Sequence, residues 1–480
     1  MDIHNLTIKS FREGIQKKEF SSEEVTQEFL KNIEKNDPSI GSYISVFKNE
    51  AINEAKQADN LIKKADKTSF LTGVPLALKD NLVIEGTKTT AASKILESYN
   101  ASYTATVIEK LRKEHAVFLG KTNMDEFAMG ASTENSAFHT TKNPYDTSRV
   151  PGGSSGGSTA AVAGGFALAA LGSDTGGSIR QPAAFCGVVG MKPTYGTVSR
   201  FGLIDMASSL DQIGPITKSV EDAAILFDVI KGKDPRDATS VEGNYTKELL
   251  NPDFNKTKEL TIGIPKEYFI EGLSEEVKKG MNVAIQKFKK LGISFKEITL
   301  PHTKYALSCY YIIMPAEVST NLARFDGIRY GREKTNTKTL RDIYFETKGK
   351  GFGTESKRRI LLGTFVLSSG YHDAYYTKAQ KVRRLITDDF KKAFEDVDVI
   401  FAPTTPTTAF KIGEKAKDPL SMYLSDIFTV AVNLAGLPAV SIPVRKYEIG
   451  KSGLPVGFQL IGKHFREQDI LSLGMLYEKN

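Results

Sequence analysis

The stretch that decides the fold, residues 152–178, reads GGSSGGSTAAVAGGFALAALGSDTGGS. It consists of two turns rich in glycine and serine, separated by small apolar residues. A flexible linker would account for the first turn alone, but a linker does not continue into residues that pack tightly. Residues 159–163 favour a helix, and residues 166–171 form a short apolar run typical of a buried strand. We therefore predict that both turns belong to the folded core.

The second turn, SDTGGS at residues 173–178, lies between the predicted strand and a segment at 179–184 that can open a helix. A strand, a glycine-rich turn and a helix N-terminus together direct several backbone N–H groups at one place, where they can stabilise an oxyanion. A serine hydroxyl at that place can act as a nucleophile. The pattern predicts acyl transfer, with Ser178 as the nucleophile and an oxyanion hole at Thr175, Gly176 and Gly177.

A serine nucleophile needs a base. No histidine lies in or beside either turn. Folding could still bring a distant histidine to the serine, so a Ser/His/Asp triad remains an alternative; the six histidines are His4, His115, His139, His302, His372 and His464. Lys79 ends the run GVPLALKDN at residues 73–81, which predicts a buried strand. Desolvation lowers the pKa of a lysine and leaves a neutral amine able to accept a proton. An exposed terminal charge is the alternative, and only the combination with the two turns favours a catalytic base.

Lys79, the segment RVPGGSSGGS at residues 149–158 and the segment GGS at residues 176–178 together resemble the amidase signature family. Members of that family cleave amides with a Ser/Ser/Lys triad. The resemblance implies that Ser178 is the nucleophile, that Lys79 is the base and that Ser154 is the bridging hydroxyl. It also implies a cis peptide bond between Gly153 and Ser154.

Four further segments are similar to one branch of this family, the glutamine-hydrolysing subunits of tRNA-dependent amidotransferases. They are NMDEFAMG at 123–130, SLDQIGP at 209–215, KRRILLGTF at 357–365 and MYLSDIFT at 422–429. By this resemblance Arg358 binds the α-carboxylate of glutamine and Asp426 its α-ammonium, and the pocket is lined by Tyr310, Met129 and Gly130. Each has an alternative, because Arg358 lies in a basic triplet typical of solvated surface, Asp426 can be an ordinary exposed acid, and the other three can be core residues.

The resemblance also implies a complex. The chain would release ammonia from glutamine, and a B-type partner subunit would use ATP and Mg²⁺ to activate mischarged Glu-tRNA(Gln) and form the amide. A small C-type subunit would hold the two together. The chain itself has no Walker A motif and no His, Cys, Asp or Glu cluster with metal-ligand spacing, so we expect no cofactor and no metal in it.

Two other functions remain open, a free-standing amidase acting on another small or aryl amide and a non-catalytic scaffold subunit. Residues 329–359 are rich in Lys and Arg and could contact tRNA phosphates. No known RNA-binding motif accompanies them, so we expect a solvated face and an RNA held mainly by a partner subunit.

The composition is that of a globular protein, with 480 residues, 25% charged residues and a net charge of +7. Its two cysteines are too few for a disulfide framework and fit a reducing compartment. No secretory leader is evident at the N-terminus, and no segment approaches the length that a transmembrane helix needs. We therefore expect a cytoplasmic protein.

Strands and helices alternate from residue 71 onward, which predicts an α/β fold with a single large mixed sheet flanked by helices on both faces. Residues 260–298 predict a β-α-β unit. Residues 1–65 predict a helical leader, in which a capping box at 21–24 opens a helix that we expect to end at residues 36–38. Residues 66–480 would form the catalytic domain, with a weak boundary in the polar segment 234–258.

Overall fold

The computed structural model describes residues 3–64, 68–269, 272–330, 339–444 and 453–479. An eleven-stranded sheet forms its centre, with the spatial order β1-β3-β2-β4-β6-β5-β10-β11-β9-β7-β8. In chain order the strands are β1 (Tyr43–Val46), β2 (Pro75–Lys79), β3 (Val117–Thr122), β4 (Ala169–Asp174), β5 (Val189–Lys192), β6 (Gln212–Thr217), β7 (Thr261–Pro265), β8 (Ser294–Ile298), β9 (Val399–Pro403), β10 (Ala439–Val444) and β11 (Val456–Gly462).

The α-helices of the described residues pack around this sheet. They are α1 (Ile8–Gln16), α2 (Ser22–Ile40), α3 (Lys48–Lys64), α4 (Thr106–Lys113), α5 (Gly156–Ala163), α6 (Arg180–Cys186), α7 (Val220–Ile230), α8 (Phe254–Lys258), α9 (Glu275–Lys290), α10 (Ala306–Asn321), α11 (Leu340–Gly351), α12 (Thr354–Leu367), α13 (Lys378–Asp396), α14 (Pro419–Tyr423), α15 (Val430–Leu434) and α16 (Glu467–Lys479). None of these has the length and apolar character needed to cross a membrane.

The sheet is mixed. Strand β2 pairs in parallel with β3 and β4, and β7 pairs in parallel with β8 and β9, whereas the other neighbours are antiparallel. Every residue of β2, β3, β4, β6, β9 and β11 is buried, which requires cover on both faces of the sheet. The predicted α/β class with one large mixed sheet is confirmed. The predicted β-α-β unit is also confirmed, as β7, α9 and β8.

Helix α2 begins as predicted and ends later. Ser21 and Glu24 form the capping box, but the helix continues through Pro38 to Ile40, so the predicted end at residues 36–38 is wrong. A proline in the last turn removes only one backbone hydrogen bond, and its φ angle suits a helix. The helix ends instead at Gly41, whose φ of +71° favours glycine.

The leader is not purely helical. Strand β1 lies within residues 1–65 and pairs with β3, so this segment shares the sheet with the rest of the chain. The polar segment 234–258 contains two short helical turns, at Lys247–Leu249 and Phe254–Lys258. The division into residues 1–65 and 66–480, and the weak boundary within the second part, stay predictions.

The fold places the two glycine-rich turns beside Lys79. Strands β2 and β4 are parallel neighbours, with Leu76 opposite Ala169 and Leu78 opposite Leu171. Their carboxyl ends therefore meet at the same edge of the sheet, where α/β proteins commonly bind ligands. Lys79 ends β2, Asp174 ends β4, and α5 begins in the first turn at Gly156.

Candidate active site

Lys79 lies at the centre of the candidate site, with a side chain that is completely buried. Its Nζ donates hydrogen bonds to Ser154 Oγ and Ser155 Oγ, both at 2.8 Å, and to Ser173 Oγ at 3.0 Å. The backbone oxygen of Ser173 accepts a further bond at 3.2 Å. The amine is thus surrounded by oxygen atoms, chiefly hydroxyls, and no carboxylate of the described residues forms an ion pair with it.

Burial lowers the pKa of Lys79 to about 7. The charges of Asp125, Asp174 and Asp211 oppose this shift without cancelling it. In a large fraction of the molecules the Lys79 amine is therefore uncharged near neutral pH. A neutral amine has the lone pair that a general base requires.

Ser154 lies in the first turn, after a cis peptide bond from Gly153, as the resemblance implied. The turn is held on both sides. Gly153 N–H donates to Gln181 Oε1 at 2.9 Å, and the carbonyl of Ser154 accepts from Asp125 N–H at 3.2 Å. A Cβ on Gly153 would lie 2.1 Å from Asp125 Oδ2, so only glycine fits at this point.

Ser178 lies in the second turn, between β4 and α6, in the predicted order of strand, turn and helix. It is 8% exposed, whereas Lys79 and Ser154 are completely buried, so it is the member of the trio that a substrate can reach. Its carbonyl accepts from Ser155 N–H at 3.1 Å, which joins the two turns. The hydroxyls of Ser154 and Ser178 share no hydrogen bond in the part of the chain that the structure describes.

Asp174 holds the second turn in place. Its carboxylate accepts from Gly177 N–H at 2.8 Å, from Ile179 N–H at 3.2 Å and from Arg180 Nε at 3.0 Å. Burial raises the pKa of Asp174, but the charge and hydrogen bonds of Arg180 outweigh burial and hold that pKa well below its usual range. Because Gly177 N–H is already bonded, the N–H groups of Thr175 and Gly176 remain the candidate oxyanion donors of the predicted three.

Of the three predicted pocket residues, Tyr310 and Gly130 lie beside the two turns. A Cβ on Gly176 would lie 2.8 Å from the Tyr310 hydroxyl, so the phenol rests against the second turn. Met129 is buried, and a Cβ on Gly130 would meet the carboxylate of Asp125 at 2.2 Å. The structure therefore brings Tyr310 and Gly130 to the site, Met129 is the buried chain neighbour of Gly130, and the contacts of all three with substrate stay predictions.

Arg358, the predicted carboxylate-binding residue, is not the buried arginine of its basic triplet. Arg358 is exposed on α12 and pairs there with Glu355, whereas the next residue, Arg359, is buried. Arg359 Nε donates to Glu355 Oε1 at 2.8 Å, and its guanidinium lies over the rings of Tyr311 and Tyr423. Successive residues of a helix point about 100° apart, so only one member of the triplet can face inward at this level. The buried guanidinium is Arg359.

Asp426 has a carboxylate oxygen that lacks a hydrogen bond among the described residues. This atom, Oδ1, is buried. Burial and the neighbouring charge of Asp174 raise the pKa of Asp426 well above its usual range, against the charge of Arg359. Thr429 Oγ1 lies 3.0 Å from the carbonyl of Asp426 and 2.6 Å from that of Gly176, which connects this acid to the nucleophile's turn. A buried acceptor without a donor is suited to a ligand's ammonium.

Histidine and metal chemistry receive no support from the contacts. Among the described residues, no hydrogen bond joins a histidine to Ser154 or Ser178, and His302 instead pairs with Asp389 at 2.8 Å. The described residues contain no group of three or more His, Cys, Asp or Glu side chains placed to hold a metal ion. Cys186 and Cys309 are buried free thiols, and burial raises the pKa of both to about 12.

Several residues of the site were missed from the sequence. Ser155 and Ser173 lie within the quoted turns, so the run of serines was a usable signal for a lysine with several hydroxyl partners. Asp174 and Arg180 flank Ser178, and such a pair of opposite charges beside a buried turn predicts an ion pair. Arg359 carried no signal apart from its place in the triplet, because the direction of a side chain on α12 depends on packing.

Comparison with known proteins assigns this chain to a family. The family model described as Amidase matches residues 24–471. The chain is 54% identical to the glutamyl-tRNA(Gln) amidotransferase A subunit of Carboxydothermus hydrogenoformans, over 100% of this chain and 98% of the relative. It is 55% identical to the protein of that name from Thermoanaerobacter pseudethanolicus, over 100% and 97%.

A solved structure gives the same result. The crystal structure of the glutamyl-tRNA(Gln) amidotransferase A subunit from Thermotoga maritima superposes with a TM-score of 0.81 at 43% sequence identity, covering 100% of this chain and 96% of that one. Sequence and fold therefore agree over the full length of the chain. The chain belongs to the amidase family and, within it, to the family of glutamyl-tRNA(Gln) amidotransferase A subunits.

Proposed function

We propose that this chain hydrolyses glutamine and supplies the ammonia for a tRNA-dependent amidotransferase that converts Glu-tRNA(Gln) to Gln-tRNA(Gln). The observation that carries the proposal is the buried Lys79, which hydrogen-bonds Ser154 and has its pKa lowered to about 7. The names of the relatives that match the whole chain support the tRNA-dependent reaction.

The reaction begins with proton transfer. Neutral Lys79 accepts the proton of Ser154 while Ser154 accepts that of Ser178, and Ser178 Oγ attacks the side-chain amide carbon of glutamine. The N–H groups of Thr175 and Gly176 stabilise the oxyanion. The proton then passes from Lys79 through Ser154 to the amide nitrogen, and ammonia leaves. The product of this step is a glutamyl ester on Ser178. Water, activated through the same groups in reverse, releases glutamate.

Glutamine is selected by its two backbone charges. Arg359 binds the α-carboxylate, and Glu355 orients the guanidinium through Nε, since Arg can donate two parallel hydrogen bonds to a carboxylate. Asp426 binds the α-ammonium, which supplies the missing donor to Oδ1 and favours the ionised acid. Tyr310 lines the space between these groups and the second turn.

The ammonia passes to partner subunits. With ATP and Mg²⁺, a B-type subunit converts the glutamate on mischarged Glu-tRNA(Gln) to an activated form and makes the amide, and a small C-type subunit joins the two chains. ATP, Mg²⁺ and most of the tRNA contacts belong to the partner, and we place the complex in the cytoplasm.

The test is covalent labelling with an electrophilic diazoketone analogue of glutamine. We expect the intact protein to gain the mass of one adduct, located on Ser178 by peptide mapping, and the Ser178→Ala variant to gain none. An unlabelled wild-type chain with a normal circular dichroism spectrum would favour a scaffold. Equal turnover of glutamine and propionamide would favour a free-standing amidase.

A further inference from the structure

Helices α11 and α12 carry the two most exposed large apolar side chains of the described residues. Leu361 is 71% exposed and Phe345 is 66% exposed, and both belong to this helix pair. Single exposed apolar residues are ordinary on a protein surface, but a contiguous group marks a binding surface. We call the space between these helices the α11–α12 groove, and its lining consists of Tyr344, Phe345, Lys348, Gly349, Phe352, Lys357, Ile360 and Leu361.

The groove is a cavity of about 410 Å³ whose walls are apolar. Its two charged lining residues, Lys348 and Lys357, are both cations, and Lys357 Nζ donates to the carbonyl of Gly349 at 2.5 Å. Exposed Arg358 follows directly on α12, where Glu355 pairs with it, so Lys348 and Lys357 set the charge of the groove. A ligand for this groove must therefore combine apolar side chains with negative charge.

The apolar surface extends beyond the groove along α12. Phe365 follows Leu361 by one helical turn and is 44% exposed. Its ring centroid lies 4.3 Å from that of Tyr371 and 6.1 Å from that of Tyr375, and both tyrosines are also exposed. The stripe is therefore long enough for a segment of several turns or an extended strand, rather than for a small molecule.

We propose that the α11–α12 groove binds an acidic amphipathic segment of an amidotransferase partner subunit. Charge complementarity favours this occupant over a second copy of the chain, because two such grooves facing each other would bring Lys348 and Lys357 against like charges. The apolar walls favour protein over RNA, whose binding depends on contacts with phosphates. The identity of the partner rests on the proposed function, but the groove does not.

The position of the groove connects it to the glutamine site. Arg359 lies on α12 between Lys357 and Ile360, and its side chain is buried and does not line the groove. The start of α12 is bonded to the loop that carries Met129, because Glu126 accepts from Ser356 Oγ at 2.5 Å and from Gly353 N–H at 2.8 Å. An occupant of the groove therefore rests on the helix that holds the proposed carboxylate-binding group.

The experiment reconstitutes the full chain with purified B- and C-type subunits of the same organism and measures the dissociation constant by titration calorimetry. We expect Leu361→Glu to weaken assembly at least tenfold, because it places a like charge against the acidic segment. The control Leu385→Glu changes a leucine of α13 that is 45% exposed, and we expect it to alter affinity less than threefold. We expect Lys348→Glu to weaken assembly at low salt and to lose most of its effect at high salt.

A photo-cross-linking residue at position 361 then identifies the occupant. We expect it to join a peptide of a partner subunit that contains both acidic and apolar residues. Cross-links to a second copy or to tRNA, or equal affinity of Leu361→Glu and wild type, would overturn the proposal. Labelling of Ser178 by the diazoketone in the isolated Leu361→Glu variant confirms that it is folded, and it separates a failure of the groove from a failure of the proposed chemistry.

Discussion

Lys79 Nζ and Ser154 Oγ lie 2.8 Å apart although 75 residues separate them in the chain, and neither side chain is exposed. Strand β2 delivers the lysine and the first turn delivers the serine. Because the same burial that aligns the two atoms also lowers the pKa of the amine, geometry and basicity have a single cause.

The first prediction concerns the base. We expect Lys79→Met, which retains volume and removes the amine, to lower the rate of Ser178 labelling by about 10²–10⁴, the usual contribution of a general base. The matched control is Lys192→Met, since Lys192 is also buried and its Nζ donates to the carbonyl of Pro193, at 2.9 Å, and to no other group of the described residues. Comparable losses of labelling rate in both variants would show that the effect comes from disturbed packing and not from the loss of a proton acceptor.

The second prediction is a pH profile for acylation. The proton acceptor is neutral Lys79, so the labelling rate should rise as pH increases through about 7 and then reach a plateau. Stopped-flow kinetics at saturating analogue would measure this profile. A rate that falls across this interval would mean that the charged form is the active one. In the control Lys192→Met, the pH at the midpoint of this rise should stay close to the wild-type value.

The third prediction is a dependence of stability on pH. Burial, assisted by the charge of Arg180, lowers the pKa of Lys192 to about 7, while an unfolded lysine titrates near 10.4. Between these values the unfolded chain binds a proton that the folded chain does not, so the free energy of unfolding rises with pH. One lysine contributes a slope of at most about 1.4 kcal/mol per pH unit. Urea unfolding of Lys192→Met should show a shallower rise than wild type, and an identical rise would contradict the assignment.

The fourth prediction separates two adjacent arginines. We expect Arg359→Ala to raise the KM for glutamine by about 10–100-fold, the cost of a lost charged hydrogen bond, with a much smaller effect on propionamide. Exposed Arg358→Ala should change the same KM less than threefold. Steady-state ammonia release measures both, and the reverse ranking would restore Arg358 as the carboxylate-binding residue.

The fifth prediction concerns the buried pair that supports the second turn. Asp174→Asn leaves Arg180 without its carboxylate, and breaking a buried ion pair costs about 3–5 kcal/mol of unfolding free energy. The control Asp388→Asn disrupts an exposed pair with Arg384, for which about 1 kcal/mol or less is expected. Denaturant titration compares the two, and equal losses would argue against a special role for Asp174.

Short-range patterns along the chain were sufficient to predict the class of fold and to select Lys79 and the two glycine-rich turns, which the structure brings together. Glycines and serines in two turns, and an apolar run ending in Lys79, are short-range patterns, so they point to a strand, a turn and a reactive hydroxyl without knowledge of the rest. The alternation of strands and helices likewise predicted the mixed sheet, and the capping box predicted the start of α2.

Other properties arose only from packing. Parallel pairing of β2 with β4 brings Lys79 against three serines, and the low pKa of that lysine belongs to its surroundings, not to its residue type. The rotation of α12 about its axis decided that Arg359 and not Arg358 is buried, because adjacent residues of a helix point about 100° apart and packing sets which of them faces the core. Such choices depend on contacts between distant segments, which exist only once the chain has folded.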